Sequence, residues 1–169
     1  MSRRLLIALL LVLAAVAGGR EVLGGNGDGG GGNSRGGEGP VVKVVDGDTI
    51  HVMIGGRREK VRYIGIDTPE TKHPTKGQQC YGTAAAAFNE RLVGGERVRL
   101  ERDVEERDRY GRLLAYVYRE RDGLFVNAEL ARRGYAQPLT IPPDVRHSER
   151  FVALARDARL RGHGLWAAC

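Results

Sequence analysis

Cysteine is nearly absent from these 169 residues, with only Cys80 and Cys169 present. The four histidines, His51, His73, His147 and His163, are scattered singly and read as surface or loop residues. No Cys/His cluster exists, so a zinc site is excluded. Long hydrophobic runs are missing too. The apolar run Leu5–Leu13 is too short for a comfortable bilayer span. No Cys follows it, which argues against a lipid-anchored lipoprotein.

What the N-terminus does contain is the pattern of an export signal. Arg3 and Arg4 precede the apolar run, and Ala15-Val16-Ala17 supplies an A-x-A cleavage pattern. Residues 1–19 therefore read as a signal peptide cleaved near Ala17, and the expected location is secreted. The alternative is an uncleaved anchor that tethers the chain to the cell envelope. Glycine is abundant at 25 residues, ten of them between Gly24 and Gly39. Such a segment buries too little apolar surface to offset its ordering entropy, so residues 20–39 read as a flexible linker.

Export makes the cysteine pair informative. Two cysteines in an oxidising compartment favour a Cys80–Cys169 disulfide; the alternative is two free thiols. The bridge would close a loop of about 90 residues, worth ~3–4 kcal/mol in the chain-entropy model. The formal charge is +6, of which residues 1–39 contribute only one unit. An arginine-rich domain with an excess of positive charge suits a polyanionic partner, although GC-rich coding produces the same composition.

The remaining length, residues 40–169, suffices for one domain with a real core. Val41–Val45 reads as a first strand. Thr49–Ile54 and Lys60–Ile66 read as a hairpin joined by Gly55-Gly56. A helix through 84–93 follows, with Thr83 as its expected N-cap and Gly94 as its stop. Glu96–Glu101 and Leu113–Tyr118 are the fourth and fifth strands, Val126–Arg133 a short helix, and a last helix starts near Ser148. Phe151, Leu154, Ala155 and Ala158 give that helix an apolar stripe. Leu165-Trp166 is expected to pack the tail onto the core. Five short strands with about three helices predict an α+β, mainly β fold, a five-stranded OB-type barrel.

The chemistry concentrates in residues 46–71, DGDTIHVMIGGRREKVRYIGIDTPET. Asp46 and Asp48 precede the first hairpin strand, and Asp67 and Glu70 follow the second. Antiparallel pairing should bring Asp48 beside Asp67, with Arg62 between them in sequence. A carboxylate cluster next to a guanidinium suits a metal and a phosphate. Taken singly, these residues also have plain readings: Asp46 and Asp48 as turn residues, Asp67 as a cap, and Arg112 as a solvated partner of Asp108.

In combination they carry a resemblance. DGDT, VRYIGIDTPET, KHPTKG, YG, DRYGRLLAYVY and NAELARRGYA stand in the order found in the staphylococcal nuclease (thermonuclease) family, across residues 41–166. The resemblance implies an OB-fold nuclease that uses Ca²⁺ to cleave DNA and RNA, single-stranded or frayed, leaving 3′-phosphates. It implies that Asp48, Asp67 and the backbone carbonyl of Thr68 hold the metal. Glu70 matches the general base, Arg62 and Arg112 the phosphate-binding arginines, and Lys76 and Tyr110 residues bordering the terminal phosphate. Hard oxygen donors suit Ca²⁺, and forked guanidinium donors suit a phosphoryl transition state.

The chain departs from that family at Pro138-Leu139-Thr140-Ile141-Pro142, where two base-stacking tyrosines are expected and no aromatic occurs. Weaker nucleotide affinity or altered base preference follows. A catalytically idle OB module that binds nucleic acid or a protein is the competing reading. It is disfavoured because none of the polar set is missing. A monomer is the default state.

Overall fold

The computed structural model describes residues 35–71, 77 and 79–169. The expected signal segment, most of the expected linker, and Lys76 lie outside the described residues. No described helix is long and apolar enough to cross a membrane.

The described elements are β1 (Arg35–Val44), β2 (Thr49–Ile54), β3 (Arg57–Tyr63), β4 (Ile66–Asp67), α1 (Gly82–Val93), β5 (Arg97–Glu101), β6 (Leu113–Arg119), α2 (Val126–Arg132), β7 (Gln137–Pro138), α3 (Ser148–Leu160) and α4 (Leu165–Ala168). Five strands close a barrel in the order β1-β2-β3-β6-β5, and β4 pairs with β7 outside it. Strands β3 and β6 run parallel, while the other neighbours in the barrel are antiparallel. This is the expected OB-type barrel, mainly β, and α4 adds one short helix to the three anticipated.

Alternation builds the core. In β2, Ile50 and Val52 are buried on either side of half-exposed His51, and in β3 Val61 and Tyr63 point the same way. Val98 and Leu100 from β5 and Ala115 and Val117 from β6 complete the lining. Phe151, Ala155 and Ala158 bury the inner face of α3, as the stripe predicts. Asn127 staples α2 to this framework. Its Oδ1 accepts the Val117 N–H at 2.9 Å and its Nδ2 donates to the Ile64 carbonyl at 2.9 Å.

Several expected boundaries move. Strand β1 begins at Arg35 rather than Val41, so residues 35–39 belong to the barrel and not to the linker. They pair with β5, from Arg35↔Glu101 to Gly39↔Val98. The glycines there serve close approach: a Cβ on Gly39 would sit 1.9 Å from the Met53 carbonyl oxygen, a separation only glycine avoids. The second hairpin strand ends at Tyr63, not Ile66. Gly65 turns the chain at φ +82° under the Phe151 ring, and Ile66–Asp67 restarts as β4.

Helix α1 starts one residue before the expected cap Thr83. The preceding Tyr81 has φ 69° and makes no side-chain cap. His147 is no free surface residue either. It packs edge-on to Tyr116 at 4.5 Å and to Phe125 at 5.1 Å. Burial followed by the charge of Arg146 lowers its pKa. At the tail, Leu165 is buried and Trp166 half-buried. Cys80 and Cys169 form the expected disulfide, with Cα atoms 6.0 Å apart and 89 positions between them in sequence.

Candidate active site

The hairpin register places Thr49 opposite Arg62. Asp48, one residue earlier, and Asp67, just past the Gly65 turn, then converge on the same guanidinium. Arg62 Nε lies 3.2 Å from Asp48 Oδ1, and its Nη2 donates to Asp67 Oδ1 at 2.7 Å. Nη1 donates to the carbonyls of Tyr63 and Ile66 at 2.9 and 2.8 Å. Nε meets Asp48 as an ion pair, and one N–H on Nη2 stays uncommitted. Arg62 is thus a buttress held through both terminal nitrogens, with an Nη2 proton to offer.

Asp48 is the buried centre. Its Oδ2 accepts the Thr68 N–H at 2.7 Å and the Thr68 hydroxyl at 2.9 Å, and its Oδ1 accepts from the Thr49 hydroxyl at 3.2 Å. Thr68 is buried with it. Beneath them, Asn89 of α1 accepts from the Tyr63 hydroxyl at 3.0 Å and donates to the Asp46 carbonyl at 3.0 Å. Sequence reasoning missed Asn89. Its sign was a polar residue at i+4 from Ala85 on the buried face of α1.

Negative charge exceeds its local compensation. Burial, then the charge of Asp48, pushes the Asp46 carboxyl up to about 6. Partial burial likewise raises Asp67, against the pull of Arg62. Glu70 is exposed, and its peptide is held by Gln79, another residue no motif marked.

A second arm comes from the turn before β6. Asp108 Oδ1 accepts the N–H groups of Tyr110 and Arg112 at 2.9 and 3.0 Å, and its Oδ2 accepts from Arg112 Nε at 2.6 Å. Burial would raise the Asp108 carboxyl, but these donors win and hold it below the usual range. Asp108 therefore orients Arg112 through Nε, the Arg112 guanidinium lies over the Tyr110 ring at 5.4 Å, and no described residue hydrogen-bonds its two terminal nitrogens. Those nitrogens form the fork that bidentate phosphate recognition requires.

Arg62 and Arg112 share a cleft of about 460 Å³ with Tyr110, Leu139 and Ile141. Tyr110 is 68% exposed and Ile141 59%. Asp144, a residue the sequence did not single out, fixes the aliphatic wall. Its Oδ1 accepts the N–H groups of Val104 and Glu105 at 2.8 and 2.9 Å, tying this segment to the one that leads to Asp108.

The donor set is chemically fit for a hard cation. Every polar atom beside Asp48 that is not a nitrogen donor is an oxygen, and Asp46, Asp48, Asp67 and Glu70 together bring more negative charge than Arg62 offsets. Among the described residues no three carboxylate, His or Cys side chains form a closed cage. A cation here would take Asp48 and Asp67 with the Thr68 carbonyl, and water for the rest.

Comparison with known proteins places the chain in a family. The staphylococcal nuclease homologue family matches residues 60–168. The chain is 39% identical over 127 residues to a thermonuclease of Staphylococcus hyicus, covering 75% of this chain and 74% of that protein. It is 41% identical over 131 residues to a thermonuclease of Staphylococcus intermedius, with 77% of each covered. Endonuclease YncB of Bacillus subtilis (strain 168) is 38% identical over 127 residues, covering 74% of this chain and 59% of that protein. The chain belongs to the staphylococcal nuclease family.

Within that family frame, Asp48, Arg62, Asp67 and Thr68 are brought into direct contact, and Arg112 with Tyr110 faces Arg62 across the cleft. Lys76 lies outside the described residues.

Proposed function

We propose that this nuclease is a secreted, Ca²⁺-dependent endonuclease that hydrolyses DNA and RNA, preferring single strands, to 3′-phosphate and 5′-hydroxyl ends. The observation that carries the reading is the pairing of a buttressed arginine beside paired aspartates, Arg62, with an open-forked one, Arg112, across one cleft. Ca²⁺ bound at Asp48 and Asp67 would neutralise charge on the scissile phosphate and favour ionisation of a bound water.

The side chains divide the remaining work. The fork of Arg112 takes two phosphate oxygens, and the uncommitted Nη2 proton of Arg62 takes a third contact, so charge gathering on the equatorial oxygens meets preorganised donors. Glu70, exposed with its backbone fixed, accepts the proton of the attacking water. The water oxygen bonds to phosphorus as the P–O5′ bond breaks, and the leaving oxygen takes its proton from solvent. A monomer suffices, since every named group comes from one chain. The export signal read at residues 1–19 supports secretion.

The test uses purified protein on denatured DNA with Ca²⁺, with Mg²⁺ and with a calcium chelator, beside Glu70→Ala, Arg112→Ala and Arg112→Lys. Ca²⁺-dependent cleavage is expected. It should fall by roughly 10²-fold or more in Arg112→Ala, and Lys should restore little because it lacks the fork. Folded wild type that binds DNA and cuts none under any metal would replace this reading with that of a binding module.

A further inference from the structure

Three of the chain's aromatic residues lie outside the buried core and form one stack. Tyr135 lies 4.1 Å from Phe88, with ring planes 8° apart, and 5.2 Å from Tyr81 at 29°. The Arg91 guanidinium covers the Phe88 end, 5.3 Å from its centroid. All three rings line a cleft of about 320 Å³ whose walls also carry Arg133 and His163. All three rings are half-exposed, unlike Tyr116, Phe125 and Phe151, which are buried.

The surroundings are cationic. Arg132 and Arg133 share one carboxylate, Glu129, which leaves a positive charge over. Arg91 makes no ion pair among the described residues. The stack also adjoins the active site. The Glu70 carbonyl accepts from Gln79 N–H, the Gln79 carbonyl accepts from Gly82 N–H, and the Gly82 α-carbon packs against Glu70. Tyr81 sits within this short loop.

We propose that this cleft is a second nucleic-acid subsite. It stacks a base of the single-stranded substrate on the cleft-facing side of Tyr81 and holds the adjoining phosphate at Arg133. A ladder already ordered from Arg91 through Phe88 and Tyr135 presents that face at little entropic cost, and any base can occupy it because every base has a π-face. A polyanionic strand matches the surplus positive charge, whereas an apolar peptide would leave the charge that Glu129 does not neutralise uncompensated. The proposal rests on the reading that the Glu70 site hydrolyses nucleic acid. The subsite engages nucleotides away from the scissile bond, so its effect grows with substrate length.

The test is fluorescence anisotropy in a chelator, where nothing is cut, with a labelled oligothymidylate of about 15 nucleotides and a labelled trinucleotide. Tyr81→Asn removes the ring while tolerating the positive φ; Tyr81→Trp keeps a ring; Arg133→Glu reverses the charge. Tyr81→Asn and Arg133→Glu should each weaken binding of the long strand by roughly ten-fold, as loss of one stacked base or phosphate contact implies, and leave the trinucleotide unchanged. Tyr81→Trp should bind the long strand at least as tightly as wild type. Unchanged long-strand affinity in Tyr81→Asn overturns the subsite. So does a parallel loss for both lengths, or failure of Tyr81→Trp to retain binding, since these mark a structural role. If long-strand binding needs Tyr81 yet no metal supports cleavage, the hydrolytic reading fails and the subsite stands.

Discussion

Gln79 holds Glu70 by both sides of its backbone: its Oε1 accepts the Glu70 N–H at 2.8 Å, and its own N–H donates to the Glu70 carbonyl at 3.0 Å. The Glu70 peptide is thereby fixed from both sides. Under the proposed mechanism, in which Glu70 takes the proton of the attacking water, Gln79 is its positioning residue. Gln79→Ala should lower kcat by about ten-fold with KM nearly unchanged, because a base misplaced by a fraction of an ångström binds nothing less but abstracts less well. Gln79→Glu, which keeps an acceptor oxygen, should recover most of the rate. A rise in KM with constant kcat would show that Gln79 serves substrate binding instead.

Cys80 follows Gln79 directly and is tied to Cys169. The disulfide thus anchors the segment that holds the Glu70 peptide to the C-terminal turn, where Leu165 is buried. The double variant Cys80→Ser/Cys169→Ser should lose ~2–5 kcal/mol in urea unfolding, the usual cost of deleting a native bridge. At temperatures where the variant remains folded, it should also show the kcat signature of Gln79→Ala. Full kcat in a folded, destabilised variant would confine the bridge to stability. Thiol reductant applied to wild type should reproduce the variant's result.

The hairpin and its chemistry were legible because they rest on local rules. A Gly-Gly turn between β-branched runs fixes the register, and the register alone carries Asp48 to Arg62. The disulfide followed from counting cysteines in a chain whose N-terminus reads as an export signal. What escaped depends on contacts distant in sequence. Residues 35–39 look like linker by composition, and only the nearness of β5 and Met53 makes them strand. Gly65 breaks β3 because α3 brings Phe151 over it. Gln79, Asn89 and Asp144 belong to no motif, since each acts on a backbone group of a segment several to dozens of residues away.

Arg119 is buried where β6 ends, with Nη1 donating to the Leu92 carbonyl at 2.9 Å. Asp122 answers with both oxygens, accepting from Nε at 3.0 Å and Nη2 at 2.6 Å. These hydrogen bonds pull the Asp122 carboxyl down to about 2. A depressed carboxylate stabilises the fold fully above its unfolded value, near 3.8, and loses that contribution as pH falls toward about 2. Asp122→Asn should therefore unfold at lower urea than wild type at neutral pH, and the gap should close between about pH 4 and pH 2. A gap that stays constant over that interval would mean the pair contributes through packing rather than charge.

Leu139 and Ile141 line the same cleft as Tyr110, where the resemblance to the family implies two tyrosines. Aliphatic walls shield one face of a base but contribute no ring–ring term, and stacking on an aromatic is worth ~1–3 kcal/mol per base. Ile141 is 59% exposed, so a larger ring fits there without displacing the core. Ile141→Tyr should tighten binding of a nucleoside 3′,5′-bisphosphate by about ten-fold, the lower part of that range once the lost isoleucine contact is discounted. Calorimetric titration with the thymidine and adenosine bisphosphates checks it. Equal tightening for both would mark the wall as a general base shelf, and unchanged affinity for both would place the base elsewhere than against Ile141.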